Sequence, residues 1–270
     1  MNFNIKQYRA EFGKFKLSDC SPDDRSGLPD SKKARNELLE QLSVELDALQ
    51  DILYGQAKHR VLVILQGMDT SGKDGTIRAV FHSADPLGMR VQAFKVPSVE
   101  EQAHDYLWRV HQVVPKNGEL VIFNRSHYED VLTTRVHGWI SGKEFERRLR
   151  QINDFERMLT ETGTTIIKIF LNISKEEQRE RLQERIDRPE KNWKFNPGDL
   201  EDRKLWDDFM NTYQTVIQQT STADVPWYVV PADSKSARNV IIVNILLDRL
   251  RKLDLAYPKV DKTGWPQVVE

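Results

Sequence analysis

Apolar positions along the chain fall into two kinds of run. Between Ser31 and Tyr54, the residues Leu38, Leu39, Leu42, Val44, Leu46, Leu49, Ile52 and Leu53 recur mostly at helical spacing. They predict one long helix, with Gly55 as its stop. The next run, Arg60-Val61-Leu62-Val63-Ile64-Leu65-Gln66, is unbroken and does not alternate. A strand of that kind is buried on both faces, as in a parallel sheet covered by helices. Similar runs predict strands at Val91–Val96, Leu120–Phe123, Thr164–Leu171 and Trp227–Val230. Helical patterns lie between them, at Thr76–His82, Glu100–Val114 with Ser98 as cap, Lys143–Thr160, Lys175–Arg185, Asp202–Gln219 and Ser236–Leu253. Strands alternating with helices predict a three-layer α/β fold, a parallel sheet flanked by helices. No repeat, low-complexity tract or linker divides residues 1–270, so one domain is expected. Residues 1–30 read as an N-terminal arm lying on the body or on a neighbouring subunit.

The strongest local signal follows the first strand. Gly67-Met68-Asp69-Thr70-Ser71-Gly72-Lys73-Asp74-Gly75 stands between a buried strand and a helix, the setting of a phosphate-binding Walker A loop. Its glycines let several backbone N–H groups face one anion, and the helix adds its positive end. Lys73 supplies a full charge to a bridging phosphate. The eighth position, usually Ser or Thr, is Asp74, and Asp69 sits inside the loop. A carboxylate so close to phosphate needs a metal between them, so Asp69 is a candidate magnesium ligand or a base for an acceptor phosphate. The fold is thus expected to be P-loop kinase-like.

The third strand runs into Asn124-Arg125-Ser126-His127-Tyr128-Glu129-Asp130, at the sheet end where ligands of open α/β folds collect. Arg125 can clamp a phosphate through its planar fork. Glu129, Asp130 and Arg135 follow within about two to three helical turns; their plainer alternative is i,i+4 ion pairing. Residues 174–203 carry Arg179, Arg181, Arg185, Arg188, Lys191, Lys194 and Arg203, with Trp193 and Phe195 interleaved. Arg181 and Arg185 share one helix face. Such a segment can be a helical lid that lowers arginines onto a transferring phosphoryl group, or a solvated helix, since four glutamates intervene. Its place after a strand of a phosphate-loop fold favours the lid.

The charge balance changes what those cations can be for. Forty Lys and Arg face 41 Asp and Glu, a net charge of −1, which argues against a protein that coats nucleic acid yet leaves room for a local basic groove. A single cysteine, Cys20, excludes an internal disulfide and fits a reducing cytoplasm. The apolar runs are too short to span a membrane, and the first residues lack the layout of a secretion signal. No nucleic-acid or membrane partner is expected.

With these motifs in hand, the chain resembles the polyphosphate kinase 2 family from about Gly13 to Pro258, most of all the branch that phosphorylates nucleoside mono- and diphosphates. The matching segments are Gly67–Gly75, Phe123–Val131, Lys191-Asn192-Trp193-Lys194-Phe195 and Ala223–Asp233. The resemblance implies transfer of the terminal phosphoryl group of inorganic polyphosphate to AMP and ADP, forming ADP and ATP, with Mg2+ or alternatively Mn2+. Guanine nucleotides are further acceptors it admits. It implies Asp69, Lys73, Arg125, Arg181 and Arg185 as catalytic residues. Gly67, Thr70, Ser71, Gly72, Lys73, Asp74, Gly75, Asn124, Arg125, Glu129 and Arg135 are expected around phosphate and nucleotide, and Asp69 and Asp130 at the metal. The Asn124/Glu129 combination resembles the branch that accepts AMP as well as ADP. A homo-oligomer is implied too. Direct in-line transfer is expected rather than a phosphohistidine route, because a loose transition state asks mainly for alignment and charge neutralisation. The alternatives are an ATP-dependent nucleotide or nucleoside kinase and a non-catalytic polyphosphate-binding protein.

Overall fold

The computed structural model describes residues 3–263, 265 and 266. Helix α1 (Lys32–Gln56) opens at Ser31, whose hydroxyl accepts the Ala34 N–H at 3.0 Å. It runs through Gly55 and ends where Ala57 turns left-handed with its N–H on the Leu53 carbonyl. Strand β1 (Arg60–Gln66) is buried from Val61 onward. Helix α2 (Lys73–Val80) starts three residues before the expected Thr76, because Gly72 at φ +107° makes the turn itself. Asp74 and Gly75 therefore lie in the first helical turn.

Strand β2 (Met89–Ala93) sits earlier than the expected Val91–Val96, where its pairing with the third strand holds it. The helix expected over Glu100–Val114 is two short ones, α3 (Val99–Gln102) and α4 (Trp108–His111). Asp105 divides them: its carboxylate accepts the Leu107 N–H at 2.9 Å and offers the backbone a turn instead of a helix. Ser98 and Glu101 form a reciprocal capping box at the start of α3. Strand β3 (Leu120–Asn124) leads to α5 (Glu129–Val136), and α6 (Gly142–Glu161) precedes β4 (Thr164–Asn172). Helix α7 (Lys175–Asp187), a 3-10 turn at Pro189–Lys194 and α8 (Gly198–Lys204) occupy the basic segment. The chain closes with α9 (Trp206–Thr220), β5 (Trp227–Pro231) and α10 (Lys235–Leu250).

The five strands are all parallel, in the order β2-β3-β1-β4-β5. Val63 of β1 stands between Ile122 of β3 and Ile167 of β4, all three fully buried. Helices α1, α2 and α10 pack together as one flanking layer, and α5, α6 and α9 as the other. The chain leaves β1 toward β2 on one side and reaches β4 on the other. The carboxyl end of β1 is therefore the switch point of the sheet, where a crevice opens. The arm lies against its own chain: Ala10 donates to the Trp227 carbonyl at 2.9 Å, Arg9 bridges Tyr228, and Tyr8, Phe15 and Leu17 are buried. Among the described residues, no helix is long and apolar enough to cross a membrane.

Candidate active site

Gly67 and Thr70, both at positive φ, bend the loop after β1 until Gly72 hands the chain to α2. Gly67 has no room for a side chain, since a Cβ there would lie 2.9 Å from the Leu171 carbonyl oxygen. Lys73 folds back over the loop, its ammonium donating to the Gly67 carbonyl at 2.7 Å and to that of Met68 at 3.3 Å. Burial and the nearby Arg125 charge push its pKa down to about 8, against the pull of Asp69, Glu129 and Asp74. The hydroxyls of Thr70, Ser71 and Thr76 are buried without a hydrogen-bond partner. Each unpaired buried hydroxyl costs about 1–3 kcal/mol, and Thr70 is the one of the three that lines the cavity over the loop, where a phosphate oxygen can pair it.

A cavity of about 360 Å³ opens over this loop. Besides the loop, its wall takes Ala93, Phe94 and Lys95 from the end of β2, Asn124 and Arg125 from β3, Arg181, Glu184 and Arg185 from α7, Lys191 and Lys194 from the turn beyond, and Lys235 from α10. Eight lining side chains are cationic and three acidic. A wall of that sign in a chain of net charge −1 is a site for a polyanion. Lys95 and Lys235 belong to none of the motifs; the sheet order brings them here.

Arg125 holds the left-handed conformation at φ +65°, rare for a side chain of its size. Its guanidinium pairs with Asp69 on one side and with Glu129 at 3.1 Å on the other. Glu129 and Asp69 outweigh burial and hold its pKa above the ordinary arginine value. Asn124 donates to Asp74 at 2.7 Å, tying the end of β3 to the first turn of α2. Beneath this turn lies a closed ionic network. Lys168 donates to Glu156 at 2.6 Å, to the Thr220 carbonyl at 2.6 Å and to the Tyr128 hydroxyl at 3.2 Å. Tyr128 donates to Glu156 at 2.8 Å, and His127 lies 3.3 Å from the same carboxylate. Burial opposes ionisation of Glu156, but Lys168 and His127 hold its carboxyl below the usual range.

Asp130 and Arg135, both expected at the site, stand away from the cavity. Asp130, expected at the metal, turns to Arg109 at 3.1 Å, and burial pushes its carboxyl up despite that partner. One residue past Glu129 is a rotation of about 100° around α5, so Glu129 meets Arg125 while Asp130 meets Arg109. Arg135 lies over the Phe145 ring and does not line the cavity. Arg181 lines the cavity but is occupied as a clamp on the loop. One guanidinium nitrogen donates to the Thr70 and Ser71 carbonyls at 3.0 Å each, another to those of Ala232 and Asp233 at 2.7 and 2.9 Å, and Nε to Glu177. Arg185 reaches the wall while bound to Asp199 at 2.8 Å.

The family model described as polyphosphate kinase 2 matches residues 29–257. The chain belongs to the polyphosphate kinase 2 family. It is 51% identical over 267 residues to the AMP/ADP-polyphosphate phosphotransferase of Meiothermus ruber, covering 98% of this chain and 100% of that one. It is 41% identical to the ADP-polyphosphate phosphotransferase of Rhodopseudomonas palustris, covering 96% and 94%. The crystal structure of polyphosphate kinase 2 from Arthrobacter aurescens TC1 superposes with a TM-score of 0.92 at 44% identity, covering 95% of this chain and 92% of that one. Two of the segments that carry the resemblance in sequence meet at the cavity, the acidic loop and the Asn124-Arg125 end of β3.

Gly72 gives the loop its tightest constraint. A Cβ there would collide with the Arg238 guanidinium, and the left-handed backbone adds about 1–2 kcal/mol for any L side chain. Gly72→Ala is expected to lower unfolding stability by about 2 kcal/mol or more and to abolish phosphate binding. Urea titration with and without tripolyphosphate measures both effects.

Proposed function

We propose that this protein transfers the terminal phosphoryl group of inorganic polyphosphate to AMP and to ADP, forming ADP and ATP. The observation that carries the reading is the cationic cavity over Lys73, with eight cationic side chains against three acidic. The printed activities of the two relatives, at 51% and 41% identity, point the same way.

The loop amides, the start of α2 and Lys73 bind phosphate oxygens and neutralise their charge. Arg125, fixed between Asp69 and Glu129, presents its fork to the group in transit. The cations around Arg185, Lys191 and Lys194 bind the rest of the chain of phosphates. An acceptor phosphate oxygen attacks the terminal phosphorus in line. The P–O bond to the shortened polyphosphate breaks as the new P–O bond forms. The charge of the loose transition state spreads over equatorial oxygens, so alignment and cations do most of the work. No side-chain nucleophile is needed.

The donor set fits a divalent ion held mainly by substrate. Among the described residues, no three His, Cys, Asp or Glu side chains come together as a metal cage. Asp69 and Asp74 do line the cavity, and magnesium is commonly bound by one or two carboxylates plus phosphate oxygens. Asp69 would hold Mg2+, or Mn2+ in its place, and the ion would screen the repulsion between donor and acceptor phosphates.

Purified protein with magnesium, polyphosphate and AMP is expected to yield ADP and then ATP, followed by chromatography of the nucleotides. GMP and GDP as acceptors measure base preference. Absence of any nucleotide product overturns the reading. Faster phosphorylation of AMP or a nucleoside from ATP than from polyphosphate replaces it with a nucleotide or nucleoside kinase.

A further inference from the structure

Arg238 stands in the first turn of α10, outside every motif, and its side chain is among the largest fully buried ones described, 2% exposed. Its guanidinium donates to the Ser71 carbonyl at 3.2 Å and to the Asn239 amide oxygen at 2.9 and 3.1 Å. It fills the space where Gly72 lacks a Cβ and lies 3.5 Å from the Cβ position of Gly75. Gly72 and Gly75 line the cavity, whereas Arg238 does not. The cation thus sits behind the phosphate loop, with the loop backbone between it and the bound anion's place.

No carboxylate compensates it. Among the described residues Arg238 forms no ion pair, and its charged neighbour is another cation, Arg181, whose guanidinium donates to the same Ser71 carbonyl. Arg181 has Glu177 at 2.7 Å; Arg238 has no such partner. Burial and Arg181 push the Arg238 pKa down to about 9, which leaves it charged at neutral pH. A buried, unpaired charge is destabilising by several kcal/mol, so packing alone is a poor reason to keep one. The Ser71 carbonyl and the Asn239 amide oxygen offset it only as dipoles; a polyanion on the far side of the loop would supply the opposite charge.

We propose that Arg238 is a positioning residue for the phosphate loop: it holds the Ser71 carbonyl from behind and lends its charge, through the backbone, to the polyphosphate bound in front. The inference rests on the polyphosphate reading of the cavity. The structure of the free protein carries the cost of this charge, and anion binding relieves it.

Two variants test it, Arg238→Met, close in shape but neutral, and Arg238→Lys, which keeps the charge. Thermal unfolding is followed with and without inorganic tripolyphosphate, and polyphosphate kinetics are measured alongside. Without ligand, Arg238→Met is expected to melt at or above the wild-type temperature. Its tripolyphosphate affinity falls at least ~10-fold, a Coulomb effect acting across the loop backbone. Its KM for polyphosphate rises more than its kcat falls, and Arg238→Lys recovers most of the affinity. Wild-type affinity in Arg238→Met overturns the proposal. So does a ligand-free melting temperature well below wild type, which marks a packing role, or a Lys variant as weak as Met. Wild-type protein that fails to bind tripolyphosphate at all overturns the functional reading, and this inference with it; the other three outcomes leave that reading standing.

Discussion

Arg125→Ala is expected to slow phosphoryl transfer at least ~10²-fold, the scale for removing one preorganised charge from a transition state. The structure shows why the group is preorganised. Asp69 and Glu129 hold the guanidinium from two sides, and its backbone is left-handed at φ +65°. Little reorganisation is left for the moment of reaction. Arg125→Lys is not expected to rescue the rate, because an ammonium cannot reach Asp69, Glu129 and a phosphate with one planar fork. Rates of single-turnover transfer from polyphosphate to ADP measure the effect. Arg125→Ala within threefold of wild type would mean that the guanidinium only braces the turn. Asp69→Asn removes one brace and the loop's own carboxylate together, and a comparable loss is expected from it.

Lys168→Met is expected to lower stability by about 3–5 kcal/mol, the cost of stranding a buried charge. Lys168 is fully buried and Glu156 is 2% exposed, so water cannot replace the lost ammonium around Glu156. Pairing Lys168→Met with Glu156→Leu removes both charges and should recover most of that loss, since an apolar pair of similar volume does not need the partner. The double variant is still expected to be slow. The network holds His127 and Tyr128, which follow Arg125 and Ser126 directly, so its removal frees the turn that aims Arg125. Urea unfolding reads the stability, and kcat of the refolded double variant reads the aim. A single Lys168→Met variant as stable as wild type would show that the cluster is already compensated by other groups.

The alternation of strands and helices, the phosphate loop and the second motif were all legible in the residue string, because each is a local signal. Five apolar residues in a row need a two-sided burial; glycines at 67 and 72 need backbone that other residues resist. Where local chemistry competes with pattern, the structure departs from the pattern. Asp105 broke a helix that the apolar spacing favoured, and Gly72 started α2 three residues early.

The side-chain partners were not legible, because they depend on which strands lie side by side. Asp130 has the right type and spacing for a metal ligand, yet Arg109 from α4 meets it first. Arg181 reads as a lid residue, yet the loop carbonyls occupy it. Lys95, just past β2, and Lys235 and Arg238, in the first turn of α10, belong to no motif, and the order β2-β3-β1-β4-β5 gathers them around one loop. By itself the sequence determined that a phosphate loop sits at the end of a buried parallel strand, since glycine freedom and apolar burial act within a few residues. Only the tertiary structure decided which cations surround that loop and which carboxylates neutralise them, since charge acts through space between residues as far apart as 71 and 238.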